Sequence, residues 1–489
     1  MQVTQSELNK IIEEVVAKVS QTLQPKTAET AGSSKSSFSS AKVNSKPGNG
    51  IFETLDDAVE AARKAQIELM TVTVEKRKAI LEGMRIAARH YAHALAKLAV
   101  EETGMGRSED KEKKILLAAD KTPGMEDLIS VARTGDRGLT LEEMAPFGVI
   151  GSITPSTNPA ATFINNAVSM ISAGNSVVFN PHPKAKLVSL KTMEILNQGI
   201  QDSGGPKNLL TSVGEPTLET SQSLMKHPGV RILAVTGGMG VVRQAMQSGK
   251  KTVCAGPGNP PVVVDETADI PKAAKNIVWG SSFDNNIMCQ LEKECFVVNT
   301  AADQLISEMQ KQGAYLLTNE QRDRLCSLIL NCPGGGGCSE PGLNRDFIGK
   351  NASVLAKAIG LDLPDTVRLL ICETEPSHPL IMTEQLMPFF PIARVKDVWE
   401  GIDWAVKAEH GYGHTAVMHS KNVERLSQMA YRINTAIFVK NGMASAGLGF
   451  GGEGHTTMTI GTTTGEGITS ARHFTRFRRC TLVDYFRII

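Results

Sequence analysis

The chain has 489 residues, enough for two or three domains, and its 41% hydrophobic content with near-average charge describes a globular protein with a large core. With 52 Lys and Arg against 51 Asp and Glu, the net charge of +1 excludes a global attraction to nucleic acid or an anionic membrane. No apolar run approaches the length of a membrane span and "MQVTQSELNK" lacks the marks of a secretory signal, so an intracellular location is expected, with the eight cysteines as free thiols.

In chain order, the first predicted element is an amphipathic helix within residues 1–23. Leu8, Ile12, Val15, Val19 and Leu23 recur at helical spacing, Ile11 and Val16 widen the stripe, and Glu13, Glu14 and Lys18 lie opposite. Residues 24–50, rich in Ser, Lys, Ala and Gly, read as a disordered tether. A helix with an unburied apolar face on such a leash reads as a docking peptide; the alternative is that it folds back on the parent domain. From residue 51 the pattern becomes α/β. Helices are predicted from Leu55 to about Met70 and from Val74 to Glu102, the second stopped by Gly104. Short apolar strands in "FGVIGSI", "SVVFN", "NLLTSVG" and "VRILAVT" then alternate with helices, which implies a parallel sheet wound by right-handed crossovers.

Ligands of such sheets bind beyond the carboxyl ends of the strands, and two ends stand out. "SITPSTNPAATF" breaks after Thr154 at Pro155 and leads into a helix whose free amides face the crevice. "AVTGGMGVV" places Thr236, Gly237 and Gly238 where a strand turns into a helix, open to a pyrophosphate or serving simply as a tight turn. Further on, "SSFDNNIMCQLEKECFVVNT" holds two cysteines in different company. Cys295 opens the β-branched run of a buried strand and is assigned to the core, whereas Cys289 follows Asp-Asn-Asn in a loop and is the candidate nucleophile. The same spacing recurs at Cys332 and Cys338, which raises a four-thiolate zinc site; structural zinc knuckles space their cysteines more closely, so no metal is expected. His182 and His414 are read as structural hydrogen-bonding residues rather than bases. The glycine-rich 446–467 stretch is read as loops near a substrate channel or as a flexible surface loop. The basic cluster in "ARHFTRFRRC" is read as a solvated or intersubunit face.

The ordered series "APFGVIGSITPSTNPAATFINNA", "VVFNPHPKAK", "AVTGGMGVV", "CAGPGNPPVVVDETADI", "SSFDNNIMCQLEKE" and "EQLMPFFPI" resembles the aldehyde dehydrogenase superfamily in its CoA-acylating branch. It is most similar to the acetaldehyde and propionaldehyde dehydrogenases of bacterial microcompartments. The resemblance implies a Rossmann-type NAD-binding domain over 51–254 with oligomerisation strands near 132–146. A catalytic cysteine domain over 255–445 and a segment of channel loops and oligomerisation strand over 446–489 complete it. It also implies a dimer or dimer of dimers, an encapsulation role for residues 1–23 toward a shell protein, and a bacterial cytoplasmic, encapsulated location. Cys289 takes the nucleophile position, with a thiohemiacetal oxyanion held by its own amide and by Asn158, Thr157 being the alternative donor. Thr154, Pro155, His182, Thr236, Gly237, Gly238, Val241 and Glu384 fall at cofactor positions, Glu384 on the nicotinamide ribose. Hydrolytic relatives activate water with a glutamate where this chain reads "VCAGPGNPP", with Ala255 or a neighbour in its place. Loss of that base implies resolution of the thioester by CoA. The rival readings are a hydrolytic aldehyde dehydrogenase, an acyl-phosphate reductase, or a non-catalytic microcompartment scaffold.

Overall fold

The computed structural model describes residues 48–331 and 342–488, so the leader helix, most of the tether, Cys332 and Cys338 lie outside the described residues. Two helices open the fold where the sequence signals place them. Thr54 and Thr73 cap Leu55–Leu69 and Val74–Thr103 by accepting from the amides of Asp57 and Lys76, and Gly104 ends the second helix in the left-handed region at φ 64°. The long helix lies against Lys186–Asp202 so closely that a Cβ on Gly83 would stand 2.5 Å from the Gly199 carbonyl oxygen. Glycine at both positions is what permits that approach.

The first sheet has six parallel strands in the order Ile51–Phe52, Leu210–Val213, Ser176–Pro181, Val149–Thr154, Ile232–Thr236, Lys251–Ala255. Strand order runs one way from the central Val149–Thr154 and then reverses, so the switch point lies between Val149–Thr154 and Ile232–Thr236. The second sheet has seven parallel strands, ordered Ala314–Leu316, Leu369–Thr374, Phe389–Val395, Glu294–Val298, Pro261–Val264, Thr415–His419, Ile437–Lys440. Its central strands are buried on both faces, hence the unbroken "VVV" and "CFVV" runs rather than alternation. Cys295 is fully buried there, as its apolar company implies.

A third, antiparallel sheet stands apart. Gly138–Pro146 pairs with Val131–Gly135 on one side and with Thr475–Val483 on the other, joining the two segments expected to combine. Both outer strands are exposed, with Phe477, Leu482 and Val483 presented to solvent. Among the described residues no helix is long and apolar enough to cross a membrane.

Candidate active site

The switch point brings the ends of Thr154 and Thr236 side by side. The Thr154 hydroxyl is buried and has no partner, while its carbonyl accepts from the His182 amide at 3.0 Å. His182 itself is exposed, its Nδ1 taken by the Lys184 amide, so it forms part of the strand exit rather than a proton-transfer pair. After Thr236, the helix Met239–Met246 starts at Gly238 with no side-chain cap, leaving its first amides unclaimed by a capping group. A Cβ on Gly238 or Gly240 would meet nothing within 4 Å, whereas one on Gly237 would press on Val241 Cγ1 at 2.8 Å. The turn is thus bare backbone facing open space, a form that fits a dinucleotide pyrophosphate. The Thr236 hydroxyl meets that of Thr459 at 3.0 Å. Residues 456–461 are buried, with Asn165 accepting from the Met458 amide, so this part of the glycine-rich stretch is a packed wall of the first sheet's end and not a surface loop.

The remaining candidates precede the amino ends of second-sheet strands. Gly258 lies just before Pro261–Val264, Cys289 before Glu294–Val298, Glu384 before Phe389–Val395 and His414 immediately before Thr415–His419. The strand order therefore gathers residues far apart in the chain. Cys289 is half-buried, and its Sγ lies 3.2 Å from His414 Nε2. His414 is fully buried; its Nδ1 meets the Thr415 hydroxyl at 2.9 Å and its amide donates to Glu409 Oε1 at 2.7 Å, which fixes the ring. Burial, followed by the charge of Lys293, pushes the imidazole down to about 3, so it stays neutral at physiological pH. Burial, followed by the Glu384 carboxylate, pushes the Cys289 thiol up to about 12. The pair is accordingly a neutral thiol facing a neutral imidazole.

Gly258 closes the group. A Cβ here would stand 2.6 Å from the Cys289 carbonyl oxygen and 2.9 Å from His414 Cγ, and its amide donates to Glu384 Oε1 at 3.4 Å. A Cβ at Gly256 would likewise stand 2.6 Å from Thr463 Oγ1, so neither glycine of the "GPG" turn has room for a side chain, and Ala255 is buried in its strand. Burial raises the half-buried Glu384 carboxyl to about 7, against the pull of Lys293.

The Asp-Asn-Asn before the nucleophile has a backbone reason. Asp284, Asn285 and Asn286 all lie in the left-handed region, at φ 46°, 53° and 59°, which Asn and Asp tolerate better than other residues with a Cβ. The coil wraps the fully buried Lys293, whose ammonium donates to the carbonyls of Asn286 (2.8 Å) and Met288 (3.1 Å) and to Asn286 Oδ1. Asp284 in turn accepts from the Arg107 amide at 2.7 Å and from the buried ammoniums of Lys111 and Lys114. Asn158, half-buried at the start of Pro159–Ser172, accepts from the Lys114 ammonium at Oδ1 and donates through Nδ2 to the Thr157 hydroxyl at 3.3 Å. Sequence reasoning missed the contact of His414 with Cys289, and it missed Lys111, Lys114 and Lys293 entirely. A charge run ordinarily reads as a solvated face, and "GYGHTAV" carries no sign of which loop its strand will adjoin.

A doubly wound sheet meeting the amino ends of a second parallel sheet, with one thiol set on an imidazole beside a bare-backbone phosphate turn, is the architecture of a cysteine-dependent dehydrogenase. The aldehyde dehydrogenase family model matches residues 34–327. Over 441 residues the chain is 53% identical to the acetaldehyde dehydrogenase (acetylating) EutE of Salmonella typhimurium, covering 90% of this chain and 94% of that one. A propionaldehyde dehydrogenase from the Clostridium phytofermentans fucose utilisation bacterial microcompartment superposes with a TM-score of 0.87 at 46% identity, over 90% of this chain and 100% of the other. The Rhodopseudomonas palustris propionaldehyde dehydrogenase, solved with bound CoA and an acylated cysteine, gives 0.86 at 45% identity, over 89% and 99%. The chain belongs to the aldehyde dehydrogenase family.

Proposed function

We propose that this chain catalyses the reversible, NAD-dependent, CoA-acylating oxidation of a short aliphatic aldehyde, propionaldehyde or acetaldehyde, to the acyl-CoA. The observation that carries the reading is the Cys289–His414 pair packed against Gly258, a thiol with a proton acceptor and no carboxylate side chain on the "GPG" turn to activate water. His414 Nε2 takes the thiol proton as Sγ adds to the aldehyde carbon. The oxyanion of the resulting thiohemiacetal receives hydrogen bonds from the Cys289 amide and from Asn158 Nδ2, an amide N–H being the better donor than the alternative, the Thr157 hydroxyl. NAD, when bound, would supply the hydride acceptor; collapse of that oxyanion leaves an acyl thioester on Cys289. The amides after Gly238, with Thr236, Gly237 and Val241, would hold its pyrophosphate, Glu384 would orient the nicotinamide ribose, and Thr154, Pro155 and His182 would line the crevice. His414 then releases that proton to solvent, accepts the proton of the CoA thiol as it attacks the thioester, and returns it to the Cys289 thiolate as acyl-CoA leaves. Transfer between thioesters is near isoenergetic, which makes the sequence reversible.

The domains follow as a nucleotide-binding unit over 51–254, a cysteine-bearing unit over 255–445 and a closing segment over 446–489. The exposed outer strands Val131–Gly135 and Thr475–Val483 support an oligomer, a dimer or dimer of dimers formed across the third sheet. The relatives' microcompartment origin supports a place in the bacterial cytoplasm inside such a shell, with residues 1–23 docking on a shell protein and 24–50 as tether. Fusing residues 1–20 to a reporter in shell-forming cells tests this: puncta are expected, and a uniform signal defeats it. The catalytic reading is tested by NADH formation from propionaldehyde and NAD with and without CoA. Turnover that needs CoA supports it, turnover without CoA restores the hydrolytic alternative, and no turnover with any aldehyde favours the scaffold reading.

A further inference from the structure

The helix Ser108–Lys121 carries Lys111 and Lys114 one turn apart, at 3% and 2% exposure. Lys111 Nζ donates to the Thr157 carbonyl at 3.0 Å and to Asp284 Oδ2 at 3.1 Å. Lys114 Nζ donates to Asn158 Oδ1 and to the same Asp284 oxygen. One carboxylate from the loop before Cys289 therefore gathers two ammoniums, and each ammonium also grips the 157–158 turn at the end of the first sheet's central strand. Asp284 is completely buried, its amide donates to Asp110 Oδ2 at 3.0 Å, and Gly106 leaves no space beside its carboxylate, so this junction has no slack.

The junction decides which way Asn158 faces. A carboxamide has an accepting end and a donating end, whereas an ammonium has donors only. The atom against Lys114 must be the oxygen, which turns the NH2 away. Of its two hydrogens one serves the Thr157 hydroxyl, and among the described residues the other has no protein acceptor. We propose that Lys114 is a positioning residue for the acyl-transfer reaction: by occupying Asn158 Oδ1 it holds the free amide hydrogen toward the thiohemiacetal oxyanion. Through Asp284 it also ties that donor to the loop presenting Cys289. The inference rests on the reading of Asn158 as the oxyanion donor.

A double-mutant cycle with full-length enzyme tests it: wild type, Lys114→Met, Asn158→Ala and the double variant, each measured for kcat and aldehyde KM in CoA-dependent NADH formation and for unfolding temperature. Loss of the donor should lower kcat about 10²–10³-fold in Asn158→Ala. Lys114→Met should lower kcat at least about tenfold in the wild-type background and by less than about threefold in the Asn158→Ala background, because the group it orients is gone. Because Lys114 and Asn158 touch, the unfolding temperatures also couple, so kcat is read well below the unfolding temperature of every variant, where a background-dependent loss reports positioning and not support of the fold. Losses in kcat that multiply fully in the double variant overturn the role of Lys114 while leaving Asn158 as the donor. An Asn158→Ala kcat within about threefold of wild type overturns the oxyanion reading itself. If Lys114→Met does not yield folded enzyme, Lys114→Gln serves in its place, since its amide can present either an oxygen or an N–H and so loses the fixed polarity. The same background-dependent loss is expected, and a wild-type kcat or a multiplicative loss overturns the proposal.

Discussion

Replacing Gly258 by alanine adds one methyl group at the point where thiol, imidazole and carboxylate converge. The new Cβ would stand 2.6 Å from the Cys289 carbonyl oxygen and 2.9 and 3.0 Å from His414 Cγ and Cδ2, whereas carbon atoms pack comfortably at about 3.5–4.0 Å. Two of the three contacts are with a buried ring whose Nδ1 meets the Thr415 hydroxyl and whose main-chain amide is held by Glu409, and the third is main chain, so no flexible side chain can give way. The neighbours must move by roughly 0.5–1 Å. Overpacking of this kind costs about 1–3 kcal/mol of stability, and a displacement of about 1 Å at reacting groups costs about 10² in rate. Measured as CoA-dependent NADH formation with saturating propionaldehyde, Gly258→Ala should lose about 10²-fold in kcat, remain folded by circular dichroism, and show an NAD KM within about threefold of wild type. A folded variant with kcat within about threefold of wild type would refute the placement of Gly258 on the pair.

The charges around the thiol make opposite predictions. Glu384 is among the causes that raise the Cys289 pKa and Lys293 among those that lower it, so at pH 8 Glu384→Gln should speed iodoacetamide alkylation of Cys289 and Lys293→Met should slow it; the reverse order contradicts the electrostatics. Because the thiol is pushed up to about 12, the wild-type alkylation rate should rise about tenfold per pH unit from pH 6 to 10, without the levelling near pH 9 of a free cysteine, and a plateau at acidic pH would reveal a preformed thiolate–imidazolium pair. Lys293→Met also strips three oxygens of their donor; at about 1–3 kcal/mol per buried unsatisfied acceptor it should lower urea-unfolding stability by at least about 3 kcal/mol, and an unchanged midpoint would contradict the wrapped-loop geometry.

What the sequence discloses here depends on how local the cause is. The helix limits at Thr54, Thr73 and Gly104, the strand exits at Thr154 and Thr236, and the separation of Cys289 from Cys295 each follow from a few neighbouring residues, and each is legible. The contact between Cys289 and His414 is set by strand order: Thr415–His419 and Glu294–Val298 lie on either side of Pro261–Val264, which no local pattern states. Lys111 and Lys114 sit in "SEDKEKKILLAADK", a stretch whose charges read as solvated, and they are buried because Asp284, far along the chain, supplies the countercharge. The consecutive Glu292, Lys293 and Glu294 invert the usual reading of a charge run in the same way, all three being fully buried beside the nucleophile. The left-handed Asp-Asn-Asn lies between these cases, since its composition permits the conformation but its partners, Lys111 and Lys114 for Asp284 and Lys293 for Asn286, are set by the fold.

The central claim is that Cys289 carries the acyl group and that CoA, not water, removes it. Incubating the enzyme with propionaldehyde and NAD in the absence of CoA, quenching in acid and mapping peptides by mass spectrometry tests it directly. A single propionyl adduct on Cys289 is expected, stable over many turnover times and discharged within one turnover on adding CoA. An adduct on another residue, or one that decays in water as fast as CoA removes it, would contradict the account.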